Sequence, residues 1–172
     1  MKTRPLWSNF TLLLIILMGV LISSCSLVSN SESVEKSKNL SLNFRNSSWG
    51  KIDSEKADYA FKHKKSRSIM VINSLCKKYD QTTLEQLTEN ILSGLQESKT
   101  TDKETLRLFD RESLRTKASG KLDGVTTHML IEVVKKDRCI YDFVLITKNS
   151  NLDSKLENDF IELVRSSQVG HQ

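Results

Sequence analysis

The sequence predicts an α+β protein, an antiparallel sheet of about five to six strands covered by two amphipathic helices, preceded by a signal peptide and a flexible tether. Three observations carry that expectation. Apolar residues recur at helical spacing in two separate stretches, 84–95 and 152–164. Between and before them lie runs rich in β-branched residues, of which 139–147 (CIYDFVLIT) is the most strand-like. Asp123-Gly124 sits between two such runs and tolerates the positive φ of a hairpin turn. Strands joined by short turns must be antiparallel, and one face of such a sheet needs cover, which two amphipathic helices supply.

Each element follows from its pattern. Residues 57–62 form a short strand candidate and 68–76 (SIMVINSLC) a stronger one, with a turn at 63–67. In the first helix Leu84, Leu87, Ile91, Leu92 and Leu95 make one stripe. Thr82 with Glu85, or Thr83 with Gln86, has the capping-box spacing, and Gly94 lies near the helix end. Residues 105–114 are ambiguous between strand and loop. In 125–134, Thr127, Met129, Ile131 and Val133 share one face of a strand; 135–138 is the next turn. Leu152, Leu156, Phe160, Leu163 and Val164 form the second helical stripe, with Ser154 and Glu157 as its capping box.

The N-terminal segment carries an address. Lys2 and Arg4 precede residues 10–22 (FTLLLIILMGVLI), an uncharged run too short for the roughly 20 residues of a spanning helix but suited to a secretory signal. Leu21-Ile22-Ser23-Ser24-Cys25 follows and resembles the lipobox of bacterial lipoproteins. That resemblance implies cleavage before Cys25 and acylation of its thiol, and Ser26 after the cysteine implies the outer membrane rather than the inner one. The alternatives are an uncleaved anchor over about residues 6–28 and an ordinary cleaved signal without lipid. Two or three acyl chains hold a protein to a membrane where one gives only marginal binding.

Cleavage would leave 148 residues with 24 basic against 21 acidic side chains, a net charge of +3 where the full chain has +5. Compartment and charge together argue against nucleic acid as a partner. Domain boundaries are expected at 1–24 (signal peptide), 25–48 (lipid-anchored tether), 49–166 (globular body) and 167–172 (frayed tail). Residues 26–48 contain eight serines and four asparagines, a composition that buries little, although Leu40, Leu42 and Phe44 alternate as a first strand would.

With Cys25 assigned to lipid, Cys76 and Cys139 remain, and an oxidising compartment makes their disulfide the expected state. On the chain-entropy model a loop of about 62 residues stabilises by about 4 kcal/mol. The competing reading is two separate buried thiols.

Trp49, the strand at 69–75, the helix at 84–95, the Asp123-Gly124 hairpin and a closing helix ending near Arg165 together resemble the PsbP-like and DcrB-like sandwich over residues 42–166. Members of that group without catalytic motifs act as binding or assembly modules, and the resemblance implies no more.

The sequence holds no GxSxG, HExxH, GxxxxGK[ST] or GxGxxG pattern, so no catalytic, metal or cofactor residue is assigned. His63 lies in a basic run, His171 is near the end, and His128 shares a strand face with Thr126, Leu130 and Glu132. Asp102, Glu104, Asp110 and Glu112 alternate with basic residues, the pattern of a solvated face. Lys62, Lys64, Lys65 and Arg67 in one turn, and Lys135, Lys136 and Arg138 in another, are the candidate contacts for an anionic surface. A Cys76–Cys139 bond would set those two turns at opposite ends of the sheet.

The expected function is therefore a lipid-anchored, non-enzymatic envelope module that binds a protein partner. A carrier of a small apolar ligand in a sheet–helix cavity, and a small hydrolase using His128 or His63, are the alternatives.

Overall fold

Two neighbouring strands buried on both faces decide the architecture. From Thr127 to Val134 and from Cys139 to Leu145 almost every residue is inaccessible. Side chains alternate across a sheet, so such strands must lie centrally with a layer on each side.

The structure, a computed structural model, describes residues 35–76, 81–148 and 152–170. Lys2, Arg4, the Leu21–Cys25 motif expected to carry the lipid, and His171 lie outside the described residues. In chain order the elements are β1 (Leu40–Leu42), β2 (Trp49–Lys51), β3 (Tyr59–His63), β4 (Ile69–Cys76), α1 (Leu84–Leu92), β5 (Gln96–Leu108), β6 (Arg111–Leu122), β7 (Val125–Lys136), β8 (Cys139–Thr147), α2 (Ser154–Arg165) and β9 (Ser167–Val169). The main sheet runs β2-β3-β4-β8-β7-β6-β5, antiparallel throughout, and β1 pairs with β9 in a separate ribbon.

The fold class is the α+β one expected, with two differences in arrangement. The helices lie on opposite faces, not on one. Leu130, Val134, Tyr141, Phe143 and Leu145 pack with Leu156, Phe160, Leu163 and Val164 of α2. The alternate residues Met129, Ile131, Val133, Ile140 and Val144 pack with the Leu84–Leu95 stripe around α1. The sheet also has seven strands among the described residues. The extra hairpin comes from residues 96–122, where β5 exposes Gln96 through Thr105 on both faces and so carries no apolar alternation to read.

Three two-residue turns join the strands of that half: Phe109-Asp110, Asp123-Gly124 and Asp137-Arg138. All six residues have positive φ, the geometry that matches the twist of a hairpin. Gly120 on β6 faces the chain as it leaves α1; a Cβ there would lie 2.9 Å from the Gln96 carbonyl oxygen.

Both ends of the body extend further than the expected boundaries. Leu40 opposes Val169, the Asn43 N–H donates to the Ser166 carbonyl at 3.1 Å, and Leu40 is buried. Residues 35–48 therefore belong to the globular unit rather than to a tether, and 167–169 form β9 rather than a frayed tail. Upstream, residues 35–37 cover the outer edge of β4 beyond the reach of β3. The Cys76 N–H donates to the Glu35 carbonyl at 2.8 Å, and the Ser37 N–H to Ser74 Oγ at 2.8 Å. Burial pushes the pKa of the Tyr141 phenol up, opposed by its hydrogen bond with Ser37 at 3.0 Å.

The caps are local. Thr83 and Gln86 form the reciprocal capping box of α1. Asp153, not Ser154, caps α2, its carboxylate accepting from the Lys155 N–H at 3.0 Å.

Candidate functional site

An aromatic groove is built where the chain crosses from β1 to β2. Tyr59 and Phe61 on β3, and Trp49 on the short edge strand β2, face the α2 side of the sheet, and Phe44 from the preceding segment meets Phe61 edge-on at 5.4 Å. These rings line an open groove of about 640 Å³, with Leu42 in its floor and Arg45 and Lys51 among its walls. No carboxylate lines it. Arg45 and Lys51 are both exposed; the Lys51 ammonium lies 5.6 Å from the centre of the Tyr59 ring.

Asp159 of α2 holds the groove in shape. Its carboxylate accepts from Trp49 Nε1 at 2.9 Å and from Asn46 Nδ2 at 3.1 Å, and Lys155 lies 3.4 Å away. Asn46 in turn accepts the Ser48 N–H on its side chain and the Trp49 N–H on its carbonyl, both at 3.0 Å. One buried carboxylate thus fixes the segment carrying Phe44 and Arg45. The groove offers apolar ring faces with positive charge beside them, chemistry for a partner that brings an apolar group flanked by negative charge.

No sequence motif marks this groove. A compositional signal existed: four of the eleven aromatic residues fall at positions 44, 49, 59 and 61. Their convergence depends on the pairing of β2 with β3 and on Asp159, more than one hundred positions away.

The residues singled out from sequence are distributed as follows. Cys76 and Cys139 are register partners across β4 and β8, with Cα atoms 4.0 Å apart, and are bonded. Lys64, Lys65 and Arg67 are exposed at the β3–β4 turn and Lys62 is half-buried on β3. Lys136 and Arg138 flank the β7–β8 turn, and Lys135 Nζ donates to the Thr82 carbonyl at 2.9 Å. Ile69 pairs with Ile146 and Cys76 with Cys139, so the two basic turns stand at opposite ends of β4, roughly 25 Å apart, and do not form one patch.

His63 and Ser66 do meet. His63 Nδ1 accepts the Ser66 N–H at 3.0 Å, and Ser66 Oγ lies 2.8 Å from the same nitrogen. The ring stands edge-on to Trp49 at 5.0 Å and is buried. Ser66, Ser68 and Thr147 continue as a line of hydroxyls at 2.8 and 3.0 Å. His128 is half-buried on β7 between Ser119 and Thr147. Asp102, Glu104, Asp110 and Glu112 are all exposed. Among the described residues no three His, Cys, Asp or Glu side chains converge as metal ligands, and no helix is long and apolar enough to cross a membrane.

No known family profile matches the sequence, and no curated protein matches it in sequence. Solved structures do match in fold. A Bacteroides thetaiotaomicron protein aligns with TM-score 0.55 and 11% identity over 81% of this chain; the alignment spans 48% of that protein, about half its length. LpqN of Mycobacterium tuberculosis, described as involved in cell envelope biogenesis, aligns with TM-score 0.52 and 11% identity over 81% of this chain and 87% of its own. The solution structure of cyanobacterial PsbP (CyanoP) from Synechocystis sp. PCC 6803 gives TM-score 0.55 and 14% identity over 87% of this chain and 99% of its own. The described body is similar in fold to PsbP, as the order of its elements implied.

Proposed function

We propose that this chain is a lipid-anchored protein of the bacterial cell envelope, held through Cys25 at the periplasmic face of a membrane, the outer one by its Ser26. It works there as a non-enzymatic binding or assembly module. The observation that carries the binding reading is the aromatic groove. Trp49 and Phe61 are buried in the core, but Phe44 and Tyr59 are left half-buried at an open cleft with two exposed cations beside them, and a partner carrying an apolar side chain next to acidic ones would cover the rings and pair the charges. The anchor rests on the order of basic start, apolar run, small residues and cysteine. The PsbP-like and LpqN likenesses support the fold on which such modules are built.

His63 supports no hydrolase. Its Nδ1 already accepts the backbone N–H that closes the β3–β4 turn, so taking a proton from Ser66 Oγ there would compete with the turn itself.

Two measurements test the proposal. Intact mass of membrane-purified protein should give a chain beginning at Cys25 plus a diacylglyceryl group and an amide-linked acyl chain; an unprocessed Met1 chain overturns the anchor. A photo-cross-linking residue at Lys51 should give one discrete protein adduct in cells, and the same residue at Lys103 on β5 none. Equal labelling from both positions overturns the groove as the partner surface.

A further inference from the structure

On the other face of the sheet, α1 stops short of β4. Ile69, Val71 and Leu75 alternate toward that face and each is only half-buried. Between α1 and this part of the sheet lies a cavity of about 280 Å³, walled by Leu75, Leu87, Ile91 and Ile140 with Asn90 beside them. It is at the small end of ligand pockets, which run about 300–1,000 Å³.

One ionisable group lies in this apolar wall. Asp142 on β8 is the register partner of Asn73 on β4 and Val133 on β7. Its Oδ1 is buried and accepts no hydrogen bond. The two lysines on this side of the sheet have partners of their own. Lys36 Nζ donates to Asn73 Oδ1 and lies 3.9 Å from Asp58, and Lys135 Nζ donates to the Thr82 carbonyl. From α1 the neighbours are Leu87, Asn90 and Ile91, all uncharged, while Glu85 and Glu89 of that helix are exposed. Burial raises the Asp142 pKa to about 6, with the Lys36 charge pulling the other way. At neutral pH the cavity therefore holds a carboxylate with no donor, an arrangement that is costly unless something pairs with it.

The geometry points to a binding site for a small organic cation, a primary amine on a compact apolar body, with its ammonium on Asp142 and its apolar part against Leu75, Leu87, Ile91 and Ile140. An anion would meet the carboxylate head-on. An alcohol offers one donor and leaves the charge uncompensated. A metal ion lacks further ligands, since no cluster of three exists among the described residues. An ammonium supplies both the charge and the donors, and the hydrogen bond is then charge-assisted. The site shares no residue with the aromatic groove and stands whether or not that groove binds a protein.

The test uses the full chain in zwitterionic nanodiscs, with empty nanodiscs subtracted, and three probes of one shape: benzylamine, benzyl alcohol and benzoate. Methyl-resolved NMR follows Leu87, Ile91 and Ile140. Benzylamine should shift these methyls saturably at pH 7.5 and bind at least tenfold more tightly than the other two. Asp142→Asn, which keeps the shape of the side chain, should weaken benzylamine at least tenfold and leave benzyl alcohol within a factor of two. Lowering the pH from 7.5 to 5 should weaken benzylamine in the wild type and not in the variant. No saturable shift up to millimolar benzylamine, equal or tighter binding of benzoate, or indifference to Asp142→Asn each overturns the proposal.

Discussion

Trp49 Nε1 donates to Asp159 Oδ2 at 2.9 Å, joining the edge strand β2 to the middle of α2 across 110 positions of sequence. The contact is buried at both ends, Trp49 being 6% and Asp159 6% exposed. Losing one partner of a buried hydrogen bond costs about 1–3 kcal/mol because the other is left unsatisfied. Asp159→Ala, which also releases Asn46, should cost at least that much, lowering Tm by several degrees. A double-mutant cycle with Trp49→Phe and Asp159→Asn should give a coupling of about 1 kcal/mol; strict additivity would show that the bond does not hold the groove together.

The disulfide should matter more for the body than for its shape. Cys76 and Cys139 close a loop of 63 positions at the end of β4 where residue 35 also pairs. Cys76→Ser with Cys139→Ser should lower the unfolding free energy by about 4 kcal/mol on the chain-entropy model, read from denaturant unfolding with midpoint and slope both fitted, the slope rising because the freed unfolded chain is less compact. A loss below 1 kcal/mol would mean that the β4–β8 ladder already constrains the unfolded chain.

Glu132 is a charge 1% exposed on the α2 face, balanced by Arg115 at 2.6 and 2.9 Å and by Ser113 at 3.0 Å. Arg115→Met alone strands that carboxylate and should cost about 3–5 kcal/mol. Adding Glu132→Leu should recover most of the loss, since replacing both charges with apolar groups is often neutral. If chemical denaturation finds the double variant as weak as the single one, packing of the arginine stem rather than its charge carries the effect.

Asp142 binds its proton more tightly in the folded chain, at about 6, than at its ordinary value of 3.8, with burial the larger cause and Lys36 opposing it. Between those values the folded state holds a proton that the unfolded state has released. Stability from this group is therefore full below about pH 4 and lost as pH rises toward 6. Relative to wild type, Asp142→Asn should gain stability over that window and be about 1–3 kcal/mol more stable at pH 7.5. Thermal melts of both proteins from pH 4 to 7.5 would sink this expectation if their difference stayed flat.

What could be read in advance was whatever is encoded within one or two turns of chain. The capping box at Thr83 and Gln86, the Leu84–Leu95 stripe, the Asp123-Gly124 turn and the β8 run are local patterns, and each is present. Phe109-Asp110 and Asp137-Arg138 adopt the same turn without an Asn-Gly or Asp-Gly pair; Asp tolerates positive φ, and the strands on either side impose it on Phe109 and Arg138, which do not favour it. β5 escaped for a related reason: an edge strand exposed on both faces has no buried side to mark its period.

By itself, then, the sequence determined both helices, the strands β3, β4, β7 and β8, and the α+β class, since periodicity and capping act over a few residues. Tertiary structure alone decided which face each helix covers, that residues 35–48 and 167–169 close the body, and that an aromatic groove and a lone carboxylate open on opposite faces. Those outcomes depend on strand order and on contacts such as Trp49–Asp159, whose partners are far apart along the chain and carry no mark of each other until the sheet is assembled.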